Sequence, residues 1–379
     1  MKVINLIIKP TSECNLRCKY CYHANTNYVC GTIDIEKIKK VFDIASNEYD
    51  TIKITWHGGE PMLLGRKFYE ELIKYQRKLQ NEKKVTFYNA MQTNGTLIDW
   101  LWAMFFKKYK IQPGLSFDGP NNDSYREKSN LVMKGINTLK FFKIPVGCLA
   151  VINKNNLDQV ALYEDMKKYA NSLKFNPIFS EEKDPDFEID INEYIKGSIA
   201  LFDHWLFDKQ GISLDPFTIY ISKILGLPFS SCANSSCLGR WLDIDSKGVI
   251  RTCGQCQDEQ FVLGNVDTLE KISDLFNSEN FNNLLIKAIN RRENCKNICP
   301  FFLDCQGGCL FKAHIEKGIE NNNGFSCRAF RSIYGYIKNK IISLLKENIS
   351  LDTLNPEVKS IIMNALTNNP KHVQGLING

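Results

Sequence analysis

Three cysteines fall within the short stretch "CNLRCKYC", at Cys14, Cys18 and Cys21, just after the apolar run "VINLIIKP". Thiols so spaced could belong to a structural zinc site, form a disulfide, or hold a metal centre that keeps one coordination position open. The chain holds 14 cysteines, so the placement of the others bears on the choice. A structural zinc takes four ligands, often as two cysteine pairs, and a disulfide is disfavoured in a reducing compartment. Three thiolates in one loop suit another object, a [4Fe–4S] cube with three irons capped and the fourth free. Thiolate-held clusters reach potentials of about −700 mV, low enough to drive strongly reducing electrons into a ligand on the open iron.

Three further motifs follow strand candidates in order. "HGGEP" (57–61) has glycines that let backbone approach a ligand closely, although a plain strand-to-helix turn would use them too. "QTNG" (92–95) and "SFDGP" (116–120), with Arg126 shortly after, stand at later strand ends. The remaining chemistry lies far downstream. Cys232 precedes Cys237, and ten residues then separate Cys237 from Gly248, which leads through four more to Cys253. A second group runs Cys295, Cys299, Cys305, Cys309, with Cys327 closing the series. By residue type alone these cysteines point to metal, as zinc or as iron–sulfur clusters.

The CxxxCxxC loop, with Tyr20 before its last cysteine, resembles the signature of the radical S-adenosylmethionine (SAM) superfamily. That resemblance implies that Cys14, Cys18 and Cys21 hold a SAM-binding [4Fe–4S] cluster, with Tyr20 near the adenine. It implies that Gly58, Gly59, Glu60 and Pro61 meet the methionine amino group, that Gln92 and Asn94 contribute from the next strand end, and that Ser116 and Arg126 contact ribose and carboxylate. The later cysteines resemble the seven-cysteine SPASM domain, whose usual second group opens with CxxC where this chain has CxxxC. By that resemblance Cys232, Cys237, Cys253 and Cys309 hold one auxiliary [4Fe–4S] cluster, and Cys295, Cys299, Cys305 and Cys327 a second. Cys30, Cys148 and Cys256 are left over. Cys148 sits in an apolar strand and reads as core. Cys256 is the catalytic candidate, as a proton or hydrogen-atom donor, a thiolate base, or simply a loop residue. His57, His204 and His314 read as structural.

In style the chain is similar to anaerobic sulfatase-maturating enzymes, which oxidise a Cys or Ser of a target protein to formylglycine. Those enzymes carry a general-base Asp directly after the position of Cys253, and this chain has Gly254 there. Removing a proton from the substrate thiol or hydroxyl needs such a base, so the resemblance turns towards peptide-modifying radical SAM enzymes. These generate a 5′-deoxyadenosyl radical, abstract hydrogen from a residue of a ribosomally made peptide, and form a thioether, C–C or ether cross-link or another oxidised product. The implied partners are a peptide or protein substrate and an electron donor such as flavodoxin or ferredoxin. Two other classes compete: a non-catalytic metal-binding module, and an electron-transfer protein with three clusters.

The elements that must position these residues alternate. Strand candidates at 3–9, 51–57, 84–92, 111–117, 144–152 and 173–179 are separated by helical spacing at 33–49, 66–80, 97–110, 130–142 and 157–170. Repeated strand–helix units predict a parallel sheet whose carboxyl ends carry the site. The expected fold class is α/β, a partial (β/α)6 TIM-like barrel with a small C-terminal iron–sulfur domain and a helical tail. The expected divisions are a barrel at 1–180, a linker and helix at 181–228, a SPASM domain at 229–332 and a tail at 333–379. With only thirteen residues before Cys14, peptide recognition is expected at the cavity mouth, the SPASM domain, the tail or a separate protein.

Composition bounds the rest. Lys+Arg number 48 against 42 Asp+Glu, and a net charge of +6 spread along the chain is too weak to argue for nucleic acid. No apolar run approaches the ~20 residues that span a bilayer, and the N-terminus lacks a signal-peptide pattern. A cytoplasmic chain without a membrane partner is expected, and cysteines there point to metal.

Overall fold

The computed structural model describes residues 2–21, 31–178, 188–229, 232, 237–347 and 349–378. Cys30 lies outside them. The strands in chain order are β1 (Val3–Thr11), β2 (Thr51–Gly58), β3 (Thr86–Thr93), β4 (Gln112–Ser116), β5 (Gly147–Ile152), β6 (Ser172–Pro177), β7 (Ser213–Asp215), β8 (Trp241–Ile244), β9 (Val249–Arg251) and β10 (Val262–Asn265). Among the described residues no helix is long and apolar enough to cross a membrane.

Two compact units emerge. The first comprises Met1–Phe117, Asn122–Val146 and Ser236–Ile289. In it β1 to β4 pair in parallel and in order. Alternation builds its core. Ile4, Leu6 and Ile8 of β1 and Ile52, Ile54 and Trp56 of β2 are all but fully buried. Their face lies under the helices Ile35–Glu48 and Gly65–Lys83, where Trp56 meets Phe42 edge-on at 6.4 Å and Tyr69 at 5.3 Å. Side chains of opposite parity therefore share the other face: Lys9, His57, Gln92 and Ser116.

The cysteine-rich segment adds to this sheet. β8 pairs in parallel with β1, Ile7 opposite Asp243, and β9 and β10 continue from it antiparallel. Asp243 thereby joins the face of Lys9.

The second unit comprises Asp118–Asn121, Gly147–Ser235 and Asn290–Gly379. β5, β6 and β7 pair in parallel within it. The helices Ile191–Leu206, Phe217–Ile224 and Phe325–Lys346 pack through an aromatic core, with Phe202 edge-on to Phe217 at 5.3 Å and Tyr220 edge-on to Tyr334 at 5.4 Å. Cys148 is buried, 3% exposed, in β5.

Candidate functional site

The cysteine loop is held from beneath by the end of β2. Gly58 adopts φ +113°, and a Cβ there would come within 2.4 Å of the Thr11 carbonyl oxygen. A Cβ on Gly59 would lie 2.0 Å from the Glu13 carbonyl oxygen. Both glycines are therefore required by the chain's own backbone at 11–13, directly before Cys14. Backbone bonds from Gly59 N–H to Thr11 O (3.0 Å) and from Glu60 N–H to Glu13 O (2.7 Å) complete the seam.

Glu60 extends the seam to β3. Its fully buried carboxyl accepts from Met62 N–H at 3.0 Å, Thr93 Oγ1–H at 2.8 Å and Asn94 N–H at 2.8 Å. Burial pushes its pKa up to about 7, against those three hydrogen bonds. Pro61 starts a short 3₁₀ turn, and its carbonyl accepts from Tyr69 Oη at 2.6 Å.

Asn94 returns the contact to the loop. Its Nδ2 donates to Asn15 Oδ1 at 2.8 Å and lies 3.9 Å from Cys14 Sγ, while Oδ1 accepts from Thr96 N–H at 3.0 Å. Burial holds the Cys14 thiol above its ordinary pKa, and the nearby Cys21 and Glu60 push the same way. The loop thus places Cys21 near enough to Cys14 to act on its thiol, beside the side-chain amide of Asn94.

Two more expected residues pair off. The Arg126 guanidinium lies over the Tyr20 ring at 5.1 Å, and Tyr125 stands 6.0 Å from the same ring. Gln92 Nε2 donates to Ser116 Oγ at 2.9 Å on the inward face. His57 is neutral: burial and Lys9 lower its pKa to about 4, and its Nδ1 accepts from Gly58 N–H at 2.8 Å.

In the second unit Cys295, Cys299 and Cys327 lie near enough to Cys305 to raise its pKa, and Cys295 and Cys299 act on Cys327 in the same sense. Burial, the largest cause, and these neighbours push Cys305 up to about 12, opposed by Lys223. Cys309, also raised chiefly by burial, has Cys232 beside it and Lys312 opposing. Cys295 is buried, and Cys299, Cys305, Cys309 and Cys327 are partly buried. Cys237 and Cys253 belong to the first unit. Among the described residues no three His, Cys, Asp or Glu side chains converge as a ready-made metal cage. Cys256 is fully buried, one turn beyond Cys253, whose carbonyl accepts its N–H at 3.4 Å.

The sequence reading passed over two charged residues. Lys9 and Asp243 form a buried ion pair, Nζ to Oδ1 3.3 Å, with side chains 3% and 0% exposed. Lys9 Nζ also donates to the Gly254 carbonyl oxygen. A lysine breaking an N-terminal apolar run was the available signal. Asp243 had none, because β8 is too short to show a period.

Residues 8–166 match the family model described as the Radical SAM superfamily. The chain is 29% identical over 364 residues to a "Cysteine-type anaerobic sulfatase-maturating enzyme" of Clostridium novyi, covering 88% of this chain and 95% of that protein. A solved structure, native anSMEcpe with bound AdoMet and Cp18Cys peptide, superposes with a TM-score of 0.80 at 27% identity, over 92% of this chain and all of that one. Streptococcus suis SuiB bound to S-adenosylmethionine shares the fold at 17% identity, TM-score 0.60, over 84% of this chain and 76% of that one. The α/β partial-barrel class expected from the strand–helix alternation is thereby borne out.

Proposed function

We propose that this chain, whose residues 8–166 match the Radical SAM superfamily model, is an enzyme that modifies a residue of a peptide or protein substrate by hydrogen abstraction. The observation that carries the reading is the seam from Gly58 and Gly59 through Glu60 to Asn94 and Cys14, which fixes the three-cysteine loop against the ends of β2 and β3. Similarity along most of the chain to proteins that act on, or are solved with, a peptide supports the substrate class.

In this reading Cys14, Cys18 and Cys21 hold a [4Fe–4S] cluster that, with bound SAM, supplies a 5′-deoxyadenosyl radical. Asn94 donates a hydrogen bond to the Cys14 sulfur. Tyr20 and Arg126 offer a stacked aromatic and cationic surface for the nucleoside and carboxylate, and Ser116, oriented by Gln92, faces the same interior. Cys232, Cys237, Cys253 and Cys309, and Cys295, Cys299, Cys305 and Cys327, are proposed to hold two auxiliary clusters. Clusters held by these cysteines would supply an acceptor for the electron left when the substrate radical is oxidised, or help shape the peptide site. The proposed divisions remain a barrel at 1–180, a linker to 228, an auxiliary-cluster domain at 229–332 and a tail at 333–379.

The product favoured is a cross-link or related oxidised residue, because position 254 offers no side chain to take a proton from a substrate thiol or hydroxyl. Formylglycine formation is the second reading, favoured by the similarity to sulfatase-maturating enzymes. Incubating cysteine-containing peptides with the reconstituted enzyme and SAM separates them. Loss of two hydrogens with sulfur retained supports the first reading, and replacement of sulfur by oxygen supports the second. An unmodified peptide panel alongside SAM cleavage would count against a peptide substrate.

A further inference from the structure

A buried lysine–carboxylate pair is costly to desolvate, so it is weak evidence for stability and points to another role. The pair of Lys9 and Asp243 joins three segments: β1, β8 and the loop after β9 that carries Cys253. Lys9 Nζ donates to the carbonyl of Gly254, the residue directly after Cys253. The Asp243 carboxylate lies against the same glycine, since a Cβ built at 254 would stand 2.6 Å from Oδ1. Asp243 Oδ2 is buried and accepts no hydrogen bond among the described residues. Both side chains are all but fully buried, 3% and 0% exposed.

We propose that Lys9 and Asp243 are positioning residues for Cys253. Lys9 clamps the Gly254 carbonyl, Asp243 holds the lysine in place, and Gly254 is glycine because the carboxylate fills the space a side chain would need. The clamp fixes the backbone that aims the Cys253 sulfur, and it ties that loop to β1, five residues before Cys14. The lack of a side chain at 254 is on this account a packing requirement met from β8. The proposal rests on the reading of Cys253 as a ligand of an auxiliary cluster.

The test uses the full chain, reconstituted anaerobically, and reads iron content, the EPR spectrum of the reduced auxiliary centres and the melting temperature, independently of turnover. Asp243→Asn is expected to lose about a third of the iron, about four of about twelve atoms, and to melt earlier. Breaking one half of a buried pair can unfold a protein, so a second variant separates stability from positioning. In the Lys9→Met/Asp243→Leu double variant an apolar pair replaces the ionic one, and the melting temperature is expected to recover while the iron loss and altered spectrum persist. Asp243→Ala combined with Gly254→Asp returns a carboxylate to Lys9 from the other backbone and is expected to restore both. A stable double variant with full iron and an unchanged spectrum would overturn the clamp. Cys253→Ala is the control: if it keeps full iron and the parent spectrum, the ligand reading fails and takes the clamp with it. If Cys253→Ala loses iron and the double variant does not, the clamp alone fails.

Discussion

The Glu60 carboxyl accepts the backbone N–H of Asn94 at 2.8 Å, joining the end of β2 to the end of β3 across a site with no solvent. Two motifs separated by more than thirty residues are thereby one structural unit. The carboxyl is held at a pKa of about 7 against an ordinary 4.5, by burial. A raised carboxyl pKa means that the folded chain keeps a proton which the unfolded chain releases. Stability contributed by this group is full below about 4.5, falls as pH rises to about 7, and is flat above. The drop amounts to ~3 kcal/mol at most. Glu60→Gln removes that slope. It also leaves Asn94 N–H or the Met62 and Thr93 donors without an acceptor, which costs ~1–3 kcal/mol. Urea unfolding of parent and variant from pH 4.5 to 7 checks both: the two curves should converge with rising pH.

Gly59 and Gly65 make a matched pair of tests. Gly59→Ala would drive a Cβ to 2.0 Å from Glu13 O, where only backbone movement relieves the clash. It should cost ~3 kcal/mol or more and displace the cysteine loop. Gly65 has φ +74° and ψ 162°, a region nearly reserved for glycine, but nothing lies within 4 Å of its Cβ position, so Gly65→Ala should cost ~1–3 kcal/mol of its own backbone strain and leave the cysteine loop in place. Equal losses in the two variants, with the loop in place in both, would show that the seam at 11–13 is not what Gly59 serves.

Asn94→Ala removes the amide donor 3.9 Å from Cys14 Sγ and the 2.8 Å bond to Asn15. Hydrogen bonds to ligand sulfur raise a cluster's potential, so the SAM-site cluster of the variant should be harder to reduce. Potentiometric titration followed by EPR reads the shift. An unchanged or higher potential would contradict the role given to Asn94.

Cys256 is fully buried, as a small core side chain is. Cys256→Ala should lower stability by ~1 kcal/mol, as loss of a small core side chain does. Product formed per mole of folded enzyme should stay the same. A variant that folds, cleaves SAM and makes no product would assign Cys256 to the chemistry.

Much of the first unit was legible because period-two and period-3.6 patterns are long there. The 51–57 run became Thr51–Gly58, and 33–49 became the helix Ile35–Glu48. The cysteine-rich segment was not. β8 has four residues and an inward Asp243, so nothing in "WLDI" announces a strand that pairs with β1. The helix Glu279–Ile298 runs through Cys295, and the helix Phe325–Lys346 starts before the expected tail at 333–379 and includes Cys327. Helix backbone presents Cys295, Cys305 and Cys327, which cysteine spacing alone does not reveal. The glycines of HGGEP were legible as close-approach residues, but only the structure shows that they approach the chain's own residues 11–13.

The central claim is that Cys14, Cys18 and Cys21 hold a cluster with an open iron that works on SAM. The most direct test is anaerobic reconstitution followed by dithionite and SAM, with 5′-deoxyadenosine quantified. About twelve irons per chain and sustained 5′-deoxyadenosine formation are predicted. A Cys14→Ala/Cys18→Ala/Cys21→Ala variant should keep about eight irons and form none. A chain that fills with zinc and leaves SAM intact, or a triple variant that still cleaves it, would contradict the account.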